Sequence, residues 1–262
     1  PVSRDHLASP LAGKPAGYCS LGPVLRNRND APAEFLQAGI ESFGRLDKAA
    51  ADAEMLALGL EATAHYGLSA PDIQIGDVAL FAALVAGLDL PAAWKRRLVK
   101  DFNRKSNLAQ DLDRLVLGGN NSQPEYQGVL AALAGSDPHG AHALVTDLLS
   151  IAGINAVGGR SVAEIAERFL EQSALGASAK LPRDVRALIE RFLVIAGDPD
   201  EAAAALRALA GEANMTQTLA PAIDLFENRT GFLAARGIDL KRVRFSTAFG
   251  RGFDYYTGFV FE

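Results

Sequence analysis

The stretch Arg251-Gly-Phe-Asp-Tyr-Tyr-Thr-Gly-Phe-Val-Phe-Glu262 puts a cation, a carboxylate and two adjacent phenols beside flexible glycines. Val, Phe and Tyr favour a strand. Strand alternation sends Arg251, Phe253, Tyr255 and Thr257 to one face, and Asp254 and Tyr256 to the other. A face carrying Arg and Tyr beside Gly252, where no side chain blocks approach, suits a small planar anion. An ordinary buried strand with a salt-bridged arginine fits the same residues.

A second group lies in Glu34-Phe-Leu-Gln-Ala-Gly-Ile-Glu-Ser-Phe-Gly44. On a strand, Gln37, Gly39 and Glu41 share one face. A carboxamide and a carboxylate with glycine between them can grip an ammonium and a carboxylate, the two ends of an amino acid. A solvent-facing polar stripe is the plainer alternative. Arg26 and Arg28 stand at the end of the preceding apolar run. Guanidinium groups bind carboxylate or phosphate bidentately, although a surface charge pair reads the same way. Gly250-Arg-Gly252 is a weak signal, and neither G-x-G-x-x-G nor a P-loop occurs. His139 and His142 have no nearby Cys or Glu to complete a metal site, and His6 and His65 stand alone. No metal and no cofactor is expected.

The elements that must position these groups follow from local pattern. Residues 16–26 read as a strand, 27–32 as a turn and 34–44 as a second strand, an antiparallel pair. Residues 47–65 form a helix with an apolar stripe through Met55, Leu56, Leu58, Leu60 and Ala64. A short strand over 72–76 and a helix over 78–88 follow. From Pro91 to about Gly211 the pattern is helical: 94–104, 108–117, 127–133, 142–151, 162–175, 184–195 and 201–209. A further helix spans 219–236, and a strand over 241–249 leads into the Arg251 segment, itself read as a strand. Strands bracket a helical middle, so the expected class is α+β: an antiparallel sheet flanked by helices, with an all-helical insertion. The expected divisions are 1–90, first part of a core; 91–211, the insertion; and 212–262, the returning helix and strands of the core.

Composition narrows the class of partner. The chain has 262 residues, about half of them apolar, and a net charge of −5. That charge argues against a broad nucleic-acid-binding face. Cys19 is the only cysteine, so no internal disulfide forms, which suits a reducing, cytoplasmic setting. No apolar run reaches membrane-spanning length, so no membrane partner is expected. The start at Pro1 and the stop inside an apparent strand read as a piece of something longer.

At these residues a family resemblance appears. Residues 251–262 closely resemble the histidine-recognition segment of histidyl-tRNA synthetases, usually R-G-L-D-Y-Y-T-G-T-V-F-E. Residues 35–44 resemble the second half of class II synthetase motif 2, F-x-Q-x-x-x-E-x-x-G, and Ala51-Asp-Ala-Glu54 fits the helix after it. The resemblance implies a class II aminoacyl-tRNA synthetase type of sheet and an inserted helical domain. It places Arg251 where that family has its catalytic arginine. Gln37 and Glu41 fall where the histidine amino group binds, and Tyr255 and Tyr256 where the imidazole pocket is lined. Arg26 falls where motif 2 meets the substrate carboxylate and the α-phosphate.

Motif 2 departs from the synthetase pattern. The usual R-x-E becomes Arg26-Asn-Arg28, and the loop to Phe35 is short and holds Asp30 and Glu34. A guanidinium offers no acceptor to the adenine amino group. An amino-acid half kept beside a nucleotide half lost resembles the synthetase-like regulatory subunit of ATP phosphoribosyltransferase, as do Ile73 to Leu84 and Leu88 to Trp94. That resemblance implies a non-catalytic subunit of histidine biosynthesis. It would bind free histidine through Arg26, Gln37, Glu41, Arg251, Tyr255 and Tyr256, and bias a complex with the short catalytic subunit around a homodimer core. A catalytic-domain fragment of histidyl-tRNA synthetase, and a partner-binding module that has lost the pocket, stay open as alternatives.

Overall fold

The computed structural model describes residues 2–27, 31–102, 104–117, 138–151, 161–162, 164, 181–251 and 256–262. These residues form two compact units, one of 1–72 with 225–242, the other of 73–224 with 243–262. The helices expected over 127–133 and most of 162–175 lie outside the described residues.

In the first unit a short helix α1 (Val2–Leu7) precedes strands β1 (Ala16–Leu25) and β2 (Glu34–Phe43). The strands pair antiparallel through ten rungs, from Ala16 opposite Phe43 to Leu25 opposite Glu34. Arg26 N–H donates to the Ala33 carbonyl at 2.8 Å and extends the ladder by one bond. Helix α2 (Lys48–His65) buries Ala49, Ala53 and Leu56, spaced i, i+4, i+7 along one stripe. Two residues of the Ala51-Asp-Ala-Glu54 motif serve as ties. Asp52 accepts from the buried Arg229 at 2.6 Å, and Glu54 pairs with Arg45 at 2.8 Å and Arg236 at 3.2 Å. Arg229 belongs to the long helix whose last turns return to this unit.

In the second unit β3 (Ile73–Asp77) runs directly into α3 (Val78–Gly87), whose first turn is capped by Asp77 Oδ1 accepting from Ala79 N–H at 3.0 Å. Helices α4 (Ala92–Asp101), α5 (Lys105–Leu117), α6 (Pro138–Ile151) and α7 (Arg183–Leu193) follow. Strand β4 (Ala196–Gly197), helices α8 (Pro199–Glu212) and α9 (Thr216–Ala235), then β5 (Val243–Ser246) and β6 (Phe259–Phe261) complete the order. The sheet order is β4-β5-β3-β6. β3 pairs parallel with β5 and antiparallel with β6. The parallel pairing is possible because a long helical excursion separates the two strands, leaving ample chain for the crossover. The core gathers Ile75, Leu80, Phe81, Phe192 and Phe245, each essentially without solvent contact. The rings of Phe81 and Phe102 stack with centroids 4.6 Å apart.

Two strand expectations need correction. The one over 241–249 is a 3-10 turn at Leu240–Arg242, a strand over Val243–Ser246, and then a turn. The Thr247 hydroxyl donates to the Phe192 carbonyl at 2.5 Å, and its N–H donates to the Ile195 carbonyl at 3.0 Å, so side-chain and backbone bonding end the ladder. Among its described residues the terminal segment is a strand over Phe259–Phe261, and residues 252–255 lie outside the described residues. Its ladder on β3 closes with the reciprocal Gln74–Glu262 backbone bonds at one end and Val78 N–H to the Gly258 carbonyl at the other. Val78 already begins α3, and Arg251, Tyr256 and Thr257 lie outside any strand, so strand alternation does not govern them.

Candidate functional site

The hairpin register decides which candidates share a surface. Alternate rungs place Glu41 opposite Tyr18, Gly39 opposite Ser20, and Gln37 opposite Gly22. Paired residues project to the same side, so Tyr18, Ser20, Gly22, Gln37, Gly39 and Glu41 make one face. Arg26, opposite Ala33, continues it by alternation. At about 3.3 Å per residue, Gln37 and Glu41 stand roughly 13 Å apart along β2. They bracket a shallow floor of Gly22, Ser20 and Gly39 rather than pinching a single atom. A Cβ on Gly39 would come within 3.2 Å of Ser20 Oγ, so that floor stays low because position 39 carries no side chain. Gln37, Glu41 and Arg26 are all solvent-exposed.

One end of this face is built on an aromatic cluster that the sequence reading missed. His6, from α1, is buried, stacks on Phe43 with centroids 4.5 Å apart, and shares a 3.0 Å hydrogen bond between its Nδ1 and the Tyr18 hydroxyl. Tyr18 meets Phe43 edge-on. The cluster therefore fixes Tyr18, the cross-strand neighbour of Glu41. His6 looked solitary because its partners are 12 and 37 positions away along the chain. The only local sign was an apolar, aromatic set on alternate strand positions.

The second group belongs to the other unit. Arg251 is half-exposed and donates to Glu262 Oε2 at 2.9 Å. Glu262 is itself exposed, and such surface pairs are worth about 0–1 kcal/mol, so an incoming carboxylate can exchange for it. The approach to Arg251 depends on Gly76. A Cβ there would lie 2.3 Å from the Phe249 carbonyl oxygen, so only glycine lets residues 247–250 cross β3 this closely. Tyr256 is half-buried and, with Thr257, lines a groove of about 540 Å³ floored by Val78, Ala82, Val85 and Val99. Tyr255 lies outside the described residues, as does Arg28.

A buried ionic knot holds α4 to α5 in the same unit. Arg97 Nε donates to Asp101 at 2.5 Å and to Asp111 at 2.8 Å, and both carboxylates are buried. Burial pushes the Asp101 carboxyl up, but hydrogen bonding with Asp111 and the Arg97 guanidinium outweigh it, leaving a net lowering. Burial and the Asp101 hydrogen bond raise Asp111.

The family model described as histidyl-tRNA synthetase matches residues 6–167. Across its whole length the chain is 36% identical to proteins named ATP phosphoribosyltransferase regulatory subunit from Brucella anthropi and Brucella canis, covering 69% of each. The chain belongs to this regulatory-subunit family, within the histidyl-tRNA synthetases. A crystal structure described as an ATP phosphoribosyltransferase regulatory subunit/histidyl-tRNA synthetase from Bacillus halodurans aligns over the whole chain with a TM-score of 0.58 at 20% identity. That likeness shows the shared α+β, class II synthetase type of fold. The family match takes in β1, β2 and α2, and so the hairpin face that carries Arg26, Gln37 and Glu41. The chain spans 51% of that solved chain. Among the described residues no helix is long and apolar enough to cross a membrane.

Proposed function

We propose that this chain is a non-catalytic, histidine-sensing regulatory subunit that partners the short catalytic subunit of ATP phosphoribosyltransferase. The observation that carries the reading is the hairpin register, which sets Arg26, Gln37 and Glu41 on one face around a glycine floor. Glu41 is the only carboxylate among these three and suits the ammonium of an amino acid, with Gln37 adding an amide acceptor. Arg26 suits the carboxylate. Arg251, Tyr255 and Tyr256 are assigned to the carboxylate and the imidazole by family resemblance. In this reading Arg28, standing where synthetases hold adenine through a glutamate, removes the nucleotide function. The helical stretch 91–211 is an inserted module, the assembly grows around a homodimer core, and the protein works in the cytoplasm without a cofactor. Histidine then acts through a coupling free energy of about 1–3 kcal/mol between two states of the complex.

Calorimetric titration of the chain with histidine tests the sensing step. Saturable heat is expected, and Glu41→Ala should weaken binding by about 1–3 kcal/mol by leaving the ammonium unpaired. An unchanged affinity in a folded Glu41→Ala protein overturns the assignment. The match to the histidyl-tRNA synthetase family favours a second reading, in which the chain is part of an enzyme that activates histidine with ATP. Histidine-dependent ATP–pyrophosphate exchange decides for that reading, and its absence alongside histidine binding decides for the sensor.

A further inference from the structure

On the histidine-sensing reading of the hairpin face, we propose that Tyr18 sets what that face accepts at its ammonium end, and that His6 is the residue that positions Tyr18. The ligand face is uneven along its length. Its middle rungs, Ser20 with Gly39 and Gly22 with Gln37, carry little bulk. Its end is built differently. Tyr18 pairs with Glu41, and Ala16 pairs with Phe43 on the next rung of the same face. His6 of α1 caps that last rung, its ring 4.5 Å from Phe43 and 5.7 Å from Tyr18 between centroids. Three rings therefore close the face just past Glu41, whereas the rungs toward Gln37 hold serine and glycine.

A tyrosine at this place can lean either way along the strand, because side chains reach the neighbouring rung of their own face. Leaning toward Ser20, the phenol would cover the glycine floor. In the structure it leans the other way. Its hydroxyl shares a 3.0 Å hydrogen bond with His6 Nδ1, and its ring meets Phe43 edge-on with centroids 5.8 Å apart. His6 is only 5% exposed. Burying an imidazole is costly unless its nitrogens find partners, and the Tyr18 hydroxyl meets that need at Nδ1. The bond latches the phenol beside Glu41, with cross-strand Cβ atoms about 5 Å apart. Half-buried Tyr18 then stands as a wall on one side of the Glu41 carboxylate. An ammonium paired with Glu41 has room toward Gly39 and none for a substituent on the Tyr18 side. A primary ammonium fits, and an N-alkylated one has to push the phenol off His6.

Calorimetry on the intact chain compares histidine with Nα-methylhistidine, which keeps the imidazole, the carboxylate and the positive charge. The unmodified chain should prefer histidine by about tenfold or more, the range for one extra carbon against a fitted wall. Tyr18→Ala should erase most of that preference. His6→Leu, which keeps Tyr18 but removes its latch, should reduce it as well. Adding His6→Leu to Tyr18→Ala should change the preference no further, since His6 acts through Tyr18. The ratio of affinities is the informative readout, because a loosened hairpin would weaken both ligands alike and leave the ratio unmoved. Where Tyr18→Ala does not melt cooperatively, Tyr18→Phe keeps the ring, drops the hydroxyl and should show a smaller loss of preference. A full preference in folded Tyr18→Phe and His6→Leu overturns the proposal, as does an unmodified chain that binds both ligands equally. No histidine binding to the unmodified chain overturns the sensing reading itself, and the proposal with it.

Discussion

The hairpin β1–β2 and the strand β3 are both paired strands but lie in opposite environments. β3 is paired on both edges, by β5 and β6, and four of its five residues are buried. The hairpin has twice the strand length and ten rungs, yet none of its residues is buried. The face opposite Gln37 and Glu41 is apolar and open: Leu21 and Leu25 are more than 70% exposed, and so is Leu36. An isolated two-stranded ribbon is marginal in water. Backbone pairing thus secures register in both places, but burial stabilises only the second. The candidate ligand face rests on the part of the molecule that gains least from burial within this chain.

This contrast can be broken by substitution. The largest effect is expected at Gly76→Ala, where a Cβ would lie 2.3 Å from the Phe249 carbonyl oxygen and backbone must shift to admit it. It should cost about 3 kcal/mol in chemical denaturation. Next is the knot on α4. Asp101→Asn removes the ionised partner of Arg97 and should cost about 2 kcal/mol, below the usual range for a buried pair because Arg97 is itself one-third exposed. Asp111→Asn removes a carboxylate whose charge burial and Asp101 disfavour, and should cost less than the change at Asp101.

The pH trends of the two variants oppose each other. A lowered Asp101 contributes stability above its ordinary value, lost as pH falls, so the cost of Asp101→Asn grows from acid to neutral pH. A raised Asp111 contributes below its ordinary value and loses that as pH rises, so the cost of Asp111→Asn shrinks over the same range. Denaturation curves of both variants across pH 3 to about 7 check the signs.

The smallest effect is expected on the open hairpin face. Leu21→Ser and Leu36→Ser should change stability by no more than about 0.5 kcal/mol, since neither side chain is buried. Both should raise the concentration at which the chain self-associates in light scattering. A cost of about 2 kcal/mol or more would mean that this face is covered in solution.

Much of this was legible from residue patterns. The turn-separated apolar runs that became β1 and β2, the Ala-rich stripe of α2 and the helices on either side of Pro91 are local signals, because propensity and periodicity act over a few residues. The sharing of one face by Gln37 and Glu41 was legible too, since alternation needs only a strand. Arg251, Tyr256 and Thr257 were misread because neighbouring residues favour strand, whereas the available edge of β3 is only a few rungs long before α3 begins. The place of Arg251 beside Glu262 was likewise invisible to alternation.

Sequence alone determined the hairpin strands, most of the described helices, the family motifs and the candidate residues, all of which depend on neighbours close along the chain. Tertiary structure alone decided that His6 packs on Phe43 and holds Tyr18, that Arg97 serves two aspartates, and that position 76 tolerates no side chain. Each of those outcomes joins residues distant in sequence, so packing and charge pairing settled them rather than local propensity.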